Sequence, residues 1–438
     1  MQINSAAFSQ PFAAGSRRTI TMVVAVLVVA AVFARVWFPV LSSVSDRLHG
    51  ELGASDYTSF YAAGKLVVDG HAGDLYDLDA LHRVEIDSGY TLAADDTMPF
   101  FNPPFVAVLF APLALLGPVD FGTALLAIVV ALVIAGGFAA ERMLGIEDRR
   151  LRLAFWLAYL SLQSVSWVVM EQQLSMLLFL GLLGFAFFQM RGDEGWSGVS
   201  LALLLVKPQM LLLLVALLIW KQRWDALRSL TLIAGALAAV SAVVAGLGVL
   251  TDYPRFVLDS TSWVNEMGIY NYAMFGLNGL VANLTGDDSP SMLLTGLLAL
   301  PVLGAVAWAW RGDWEPTSSR FPLLMAIALL GALLLNPHLY LQDMVLMFLA
   351  AVFAARWAKQ SRWSALWPLF IAAAWLPQFG GRYVQLNYGL PVLPLAMIAL
   401  LLVATGLLWL SDRADDDHDE ALEARLQAMK RRVLITAR

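Results

Sequence analysis

The sequence predicts an all-α polytopic membrane protein, and three observations carry that reading. Of its 438 residues, 59% are hydrophobic and 14% are charged. Apolar runs recur along the chain at about the 20 residues that a helix needs to cross a hydrocarbon slab about 30 Å thick. Lys and Arg gather in short clusters between these runs, the pattern of loops retained in the cytoplasm. The runs tile most of the chain, so one membrane domain is expected at 19–410, between a cytoplasmic segment 1–18 and a charged cytoplasmic tail 411–438.

Composition also removes whole classes of chemistry. There is no cysteine, which excludes disulfides, thiolate metal sites and Cys nucleophiles. No Walker loop, HExxH pair or Cys/His cluster occurs, so neither a metal nor a cofactor is expected. The Asp residues of the outer loops could in principle hold a divalent cation, but their spacing defines no site. The net charge of −6 names no partner by itself, and no nucleic acid is expected.

Basic clusters at Arg17-Arg18, Arg142 to Arg152, Lys221 to Arg228, Arg356 to Arg362 and Arg425 to Arg432 are placed inside. Both termini are then cytoplasmic, and the loops 42–102, 251–290 and 377–388 face out. The apolar run after Arg17-Arg18 resumes beyond Arg35 without a small-residue cleavage site, so 19–41 is read as an uncleaved first span. The loop 42–102 carries amphipathic stretches, Phe60 to Val68 and Leu75 to Val84, expected as short helices lying in the interface. Residues 103–117, broken by prolines, suit a juxtamembrane or re-entrant segment. Crossings are expected at 119–141, 151–168 and 172–190. Residues 197–220 have cytoplasmic ends and Lys207-Pro208-Gln209 in the middle. They read as two half-crossings with a polar apex, which requires cover from protein or a water-filled cavity. Further crossings follow at 229–250, 290–310, 320–336, 340–356, 363–376 and 388–410, giving about 11–13 full or half membrane helices.

The stretch Ser55 to Asp77, SDYTSFYAAGKLVVDGHAGDLYD, holds the first candidate residue. Asp56 lies just beyond the first span, beside Tyr57, Phe60 and Tyr61, which suit an interfacial aromatic belt. The competing reading is a helix N-cap formed by Ser55 and Asp56. Lys207 stands inside an apolar run, where a charge is costly and calls for an anionic partner, a polar cavity or a salt bridge. Glu171, Gln172 and Gln173 open the span before it, as a polar cap or as part of a site. In Asn336-Pro337-His338-Leu339-Tyr340-Leu341-Gln342-Asp343, Pro337 breaks one span just before the next begins. That places His338 and Asp343 at the outer surface or in a cavity. His338 could serve a phosphate or be a structural histidine. Arg382 is a rare basic residue of a late outer loop, suited to phosphate capture or to an ordinary loop charge.

Four motifs occur in order: SDYTSFYAAGKLVVDGHAGDLYD, NPPFVAVLFAPLALL, KPQ and NPHLYLQD. Together they resemble the polyprenol-phosphate-mannose-dependent α-mannosyltransferases of glycosyltransferase family 87, over roughly 19–410. The resemblance implies a GT-C-type bundle with an outer catalytic loop, 42–102, in the plasma (inner) membrane of a bacterium. It implies transfer of a hexose, mannose, from a polyprenyl-phosphate donor to a glycolipid or glycan acceptor on the extracytoplasmic face, with inversion. Asp56 would be the general base and His338 would stand near the donor phosphate. Lys207, Arg382, Tyr57 and Asp343 are the other candidate substrate-binding residues. A polyprenyl phosphate is a lipid-embedded leaving group, so no nucleotide site is required. The alternative is a secondary transporter or a flippase for lipid-linked sugars. It would explain the broken helices and Lys207, but typically predicts internal symmetry and short outer loops.

Overall fold

The computed structural model describes residues 31–413 apart from 48, 50, 54, 93–96, 261–269 and 287–290. The terminal segment 1–18, the first part of the first expected span and the tail beyond Arg413 lie outside the described residues. Everything regular among the described residues is helical. Among the described residues five helices are long and apolar enough to cross a membrane, a bent pair passes the same test only when its two helices are taken together, and five shorter apolar helices accompany them.

The first helix, α1, covers 31–47, so it runs past the expected end of the first span at 41 and delivers Arg47 to the site. Two helices of the outer loop follow, α2 (Asp56–Val68) and α3 (Leu78–Asp87). Asp77 caps α3 by accepting the N–H groups of Asp79 and Ala80. The expectation of interfacial surface helices is corrected for α2. Tyr57 to Gly64 and Leu66 are all buried, covering every face of its first two turns. Buried on all sides despite Thr58 and Ser59, α2 lies against α4 (Pro104–Ala114), with Phe60 stacked on Phe110.

Pro104 starts α4 where its missing N–H costs nothing. The helix has 11 residues, about 17 Å, too short to cross. Pro118 then opens α5 (Pro118–Leu144), whose 27 residues reach about 40 Å. The expected crossing 151–168 is a bent pair, α6 (Arg149–Leu160) and α7 (Gln163–Met170), meeting at 54°. After it comes α8 (Ser175–Met190).

Residues 194–220 form the polar-apex hairpin. Helix α9 (Glu194–Leu201) passes through a 3₁₀ turn to Lys207, a second 3₁₀ turn starts at Pro208, and α10 (Leu212–Trp220) returns. An ion pair between Glu194 and Arg223 ties the two ends together. The hairpin packs on α11 (Trp224–Ala245), where Gly198 is indispensable. A Cβ there would lie 2.1 Å from the Ala226 carbonyl oxygen.

The rest of the chain is α12 (Val249–Asp259), α13 (Leu277–Thr285), α14 (Met292–Ala309), α15 (Phe321–Leu335), α16 (Val345–Lys359), α17 (Trp367–Trp375), α18 (Gly381–Tyr388) and α19 (Val392–Arg413). Burial separates the core from the lipid-facing rim. In the segment Leu341–Lys359, 94% of the apolar window is buried, against 11% in Trp224–Ala245. Helix α16 is thus the axis of the bundle, flanked by the equally buried α15.

That axis joins two chemically different ends. At its C-terminus, Arg356 donates to the Met143 carbonyl at 2.5 Å and Lys359 to the Leu144 carbonyl at 3.2 Å. Arg362 bonds the Leu410 carbonyl, and Arg311 and Arg320 both hold Asp412. Among the described residues, the Arg356 to Arg362 cluster therefore meets the segment that opens the Arg142 to Arg152 cluster, while the clusters at 17–18 and 425–432 lie outside the described residues. The N-terminus of α16 begins directly after Asp343, at the other end. The 3₁₀ turn Leu341–Met344 runs straight into α16, so Leu341–Lys359 is one apolar segment of 19 residues with Gln342 and Asp343 in its first turn.

Candidate active site

Asp56 sits at the first turn of α2, with Ser55 at the N-cap. Its carboxylate does not serve the helix that carries it. Gln173 donates to Oδ2, and Gln342 donates to the same oxygen at 3.5 Å. Among the described residues no side chain holds Oδ1, and the residue is half-buried. An N-cap Asp would be consumed by backbone N–H groups two or three residues on. This one faces residues more than 100 positions away, and the cap reading does not describe it.

A short polar corner between α7 and α8 sets that arrangement. Gln172 adopts a left-handed backbone, φ 52°, which is uncommon for a residue with a side chain. The corner sends three consecutive side chains to three targets. Glu171 accepts the Asp56 N–H at 3.4 Å, Gln172 donates to the Gly122 carbonyl of α5 at 2.9 Å, and Gln173 holds the Asp56 carboxylate. Sequence reading marks these residues as polar; their division of labour depends on the turn.

On the far side of Asp56 lies a second polar cluster. Lys207 Nζ is 2.8 Å from Asp343 Oδ1, which also accepts the Ser175 hydroxyl at 2.6 Å. Asp343 is 1% exposed. The lysine at the hairpin apex is thereby matched by a carboxylate at the head of α16. Asn102 fixes the apex by donating to the Val206 carbonyl at 2.8 Å. Lys207 and Asp343 both act on the Asp56 charge, in opposite directions.

His338 lies between α15 and α16, its N–H held by Asn336 Oδ1 at 3.0 Å. Burial lowers the proton affinity of its ring, which favours the neutral imidazole with one N–H to donate. The second outer loop covers this junction. Phe275 donates its N–H to the Leu339 carbonyl at 2.8 Å, and Asn278 its side-chain amide to the Pro337 carbonyl at 2.6 Å. Gly276 permits the approach, since a Cβ there would meet the Asn336 carbonyl oxygen at 2.2 Å. Arg382, on α18, lies 4.5 Å over the Trp167 ring and acts on Glu171. Tyr57 is 2% exposed and lies beneath the Arg47 guanidinium, 4.1 Å from the ring centre. It supports Arg47 rather than the mouth of the site.

Of the six sequence candidates, Asp56, Lys207 and Asp343 thus act on one another, Arg382 acts on the Glu171 corner beside them, Tyr57 lies under Arg47, and His338 precedes Asp343 on the same junction. Arg47 was not among them, because it reads as one of several charges just beyond the first span.

Burial and a second carboxylate shape the electrostatics. Surrounding protein disfavours the charged form of Asp56 and raises its proton affinity, against the Gln173 hydrogen bond and the Lys207 charge. Glu171 is pushed up to about 8, first by burial and then by the Asp56 charge, while Arg382 and Arg47 oppose the shift.

The model of glycosyltransferase family 87 matches residues 100–337. The chain belongs to glycosyltransferase family 87. No curated protein and no solved structure matches it. The protein is therefore a membrane-embedded glycosyltransferase with a GT-C-like all-helical bundle. The family 87 match takes in Asn102, the Glu171–Gln173 corner and the Lys207 hairpin, whereas Asp56, His338, Asp343 and Arg382 lie outside it. In this family 87 protein, the matched region supplies the helices from α4 to α15, and the flanking segments bring in the base candidate and the central helix α16.

Proposed function

We propose that the enzyme moves a hexose, mannose, from a polyprenyl-phosphate sugar to a hydroxyl of a lipid-linked or glycan acceptor. The observation that carries this reading is a half-buried carboxylate with one oxygen tied by two amides and the other left to a hydroxyl, sunk among membrane helices. Asp56 acts as general base. Its free oxygen takes the proton as the acceptor oxygen forms its bond to the anomeric carbon, and the electron pair of the breaking C–O bond leaves with the phosphate. Attack opposite the leaving group inverts the anomeric centre. A base must come within hydrogen-bond reach of the hydroxyl, and a half-buried first turn of α2 gives it that access.

The leaving phosphate needs cationic or donor groups. Arg382, the N–H of neutral His338 and Lys207 supply these, with Lys207 tempered by Asp343. Gln342 and Asp343 at the head of the otherwise apolar segment Leu341–Lys359 set polar groups among membrane helices, where the phosphate of a membrane-dissolved donor can meet an acceptor hydroxyl. The clustering of basic residues at the opposite end supports an extracytoplasmic site with cytoplasmic termini, in the plasma membrane of a bacterium.

The test is purified protein in vesicles, given a panel of radiolabelled polyprenyl-phosphate sugars and acceptors. Label in the acceptor, strongest with polyprenyl-phosphate mannose, is the expected result. Label carried across the bilayer without transfer identifies a flippase instead. Transfer from a nucleotide sugar alone contradicts the donor assignment.

A further inference from the structure

We infer that Glu171 is the second carboxylate of the site, a positioning residue that fixes Asp56 through its main-chain N–H and whose charge is coupled to that of the Asp56 carboxylate. The inference rests on Asp56 being the base of the proposed reaction.

Geometry carries it. Glu171 comes from the end of α7 and reaches the N–H of Asp56 itself, at 3.4 Å, so one corner grips Asp56 at both its main chain and its carboxylate. The left-handed Gln172 between the two gripping residues has its own side chain anchored on α5. Backbone strain of this kind persists where surrounding structure over-determines it. Glu171 is also surrounded by ionisable groups from three other elements. Arg47 faces it from α1, Arg382 from α18, and Asp56 with Tyr57 from α2. Arg47 is 4% exposed, and among the described residues its Nε and Nη1 have no hydrogen-bond partner. A buried guanidinium with spare donors stabilises a nearby negative charge wherever one forms.

The chemistry follows from two carboxylates in one half-buried place. Such a pair gives up its protons in two steps that belong to the pair. Burial raises the proton affinity of both carboxyls, and the Asp56 charge helps push Glu171 up to about 8 while Arg382 and Arg47 oppose the shift. Glu171 thus holds the base in place without adding a second negative charge beside the donor phosphate at neutral pH.

Infrared titration of the purified full-length protein tests the coupling without requiring transfer. The unaltered protein should show a carboxylic-acid band that is lost near pH 8, and Glu171→Gln should lack it. In Asp56→Asn the band should titrate at lower pH, because the neighbouring charge is gone. A band that persists in Glu171→Gln, or that titrates unchanged in Asp56→Asn, overturns the inference. If one variant does not fold, the other arm still decides it.

Transfer assays read the positioning. Glu171→Gln keeps an oxygen for the Asp56 N–H and should retain rate at pH 7 within a few-fold, while losing the inflection near pH 8. Glu171→Ala loses the grip as well, and its turnover should fall by about 10²-fold, the cost of a displaced catalytic group. Equal rates in Gln and Ala variants contradict the positioning role. Absence of transfer in the unaltered protein would count against the proposed reaction and leave the infrared result standing.

Discussion

Asp343 is 1% exposed and is held by Lys207 and Ser175. Removing one member of a buried ion pair strands the other, typically at about 3–5 kcal/mol. Lys207→Met should therefore lower stability by that order in detergent unfolding, and adding Asp343→Leu should recover most of the loss. A Lys207→Met protein as stable as the original would contradict the structural weight given to the buried pair. Asp56 behaves differently. Folding raises its proton affinity and that of Glu171, so the native state binds more protons than the unfolded chain between the ordinary carboxylate range and pH 8. Their contribution to stability is greatest below that window and falls as pH rises through it. Thermal unfolding should show Asp56→Asn gaining on the unaltered protein as pH rises, with the gap closing in acid. A constant gap across that range would mean that burial does not penalise the Asp56 charge.

The hairpin and the junction before α16 are where element-level reasoning meets its limits. Lys207-Pro208-Gln209 inside an apolar run, flanked by charged ends, was enough to read a broken segment returning to the side it left. The Glu194–Arg223 pair shows the return. What pairs with Lys207 was not legible, because Asp343 lies 136 positions away and nothing local couples the two. The buried placement of α2 was missed for a related reason. Its Tyr, Ser and Thr residues resemble an interfacial face, and the partner that covers them, α4, follows a long loop. Close helix approaches depend on single glycines that carry no such signal. Gly198→Ala should destabilise the hairpin by about 1–3 kcal/mol through forced displacement of α11. Gly235→Ala on the same helix α11, with nothing within 4 Å of the added Cβ, should be neutral or slightly stabilising. Similar unfolding midpoints for the two variants would contradict the packing described for α9 and α11.

At the scale of the whole molecule, the described residues show two chemically different ends. Arg356, Lys359, Arg362 and Arg311 bond carbonyls or Asp412 at one end, and the carboxylates of the site gather at the other. Composition and basic clusters were sufficient for the all-α membrane class, because lipid leaves few ways to satisfy a backbone. Convergence of Asp56, the 171–173 corner, Lys207 and Asp343 needs the packed bundle. The cysteine-free chain permits a direct topology measurement. Asn387→Cys, exposed on α18, should react with an impermeant reagent from outside intact cells, and Arg150→Cys should react after permeabilisation alone. External labelling of position 150 would invert the orientation. The central claim is that Asp56 is the base of sugar transfer, and the most direct test is the single-turnover rate of Asp56→Asn with polyprenyl-phosphate mannose. The substitution preserves size and removes the basic carboxylate. Loss of a general base costs about 10²–10⁴ in rate. A drop of that size, with donor binding within a few-fold of the original, is the predicted result. A folded variant that transfers at near the original rate would contradict the account.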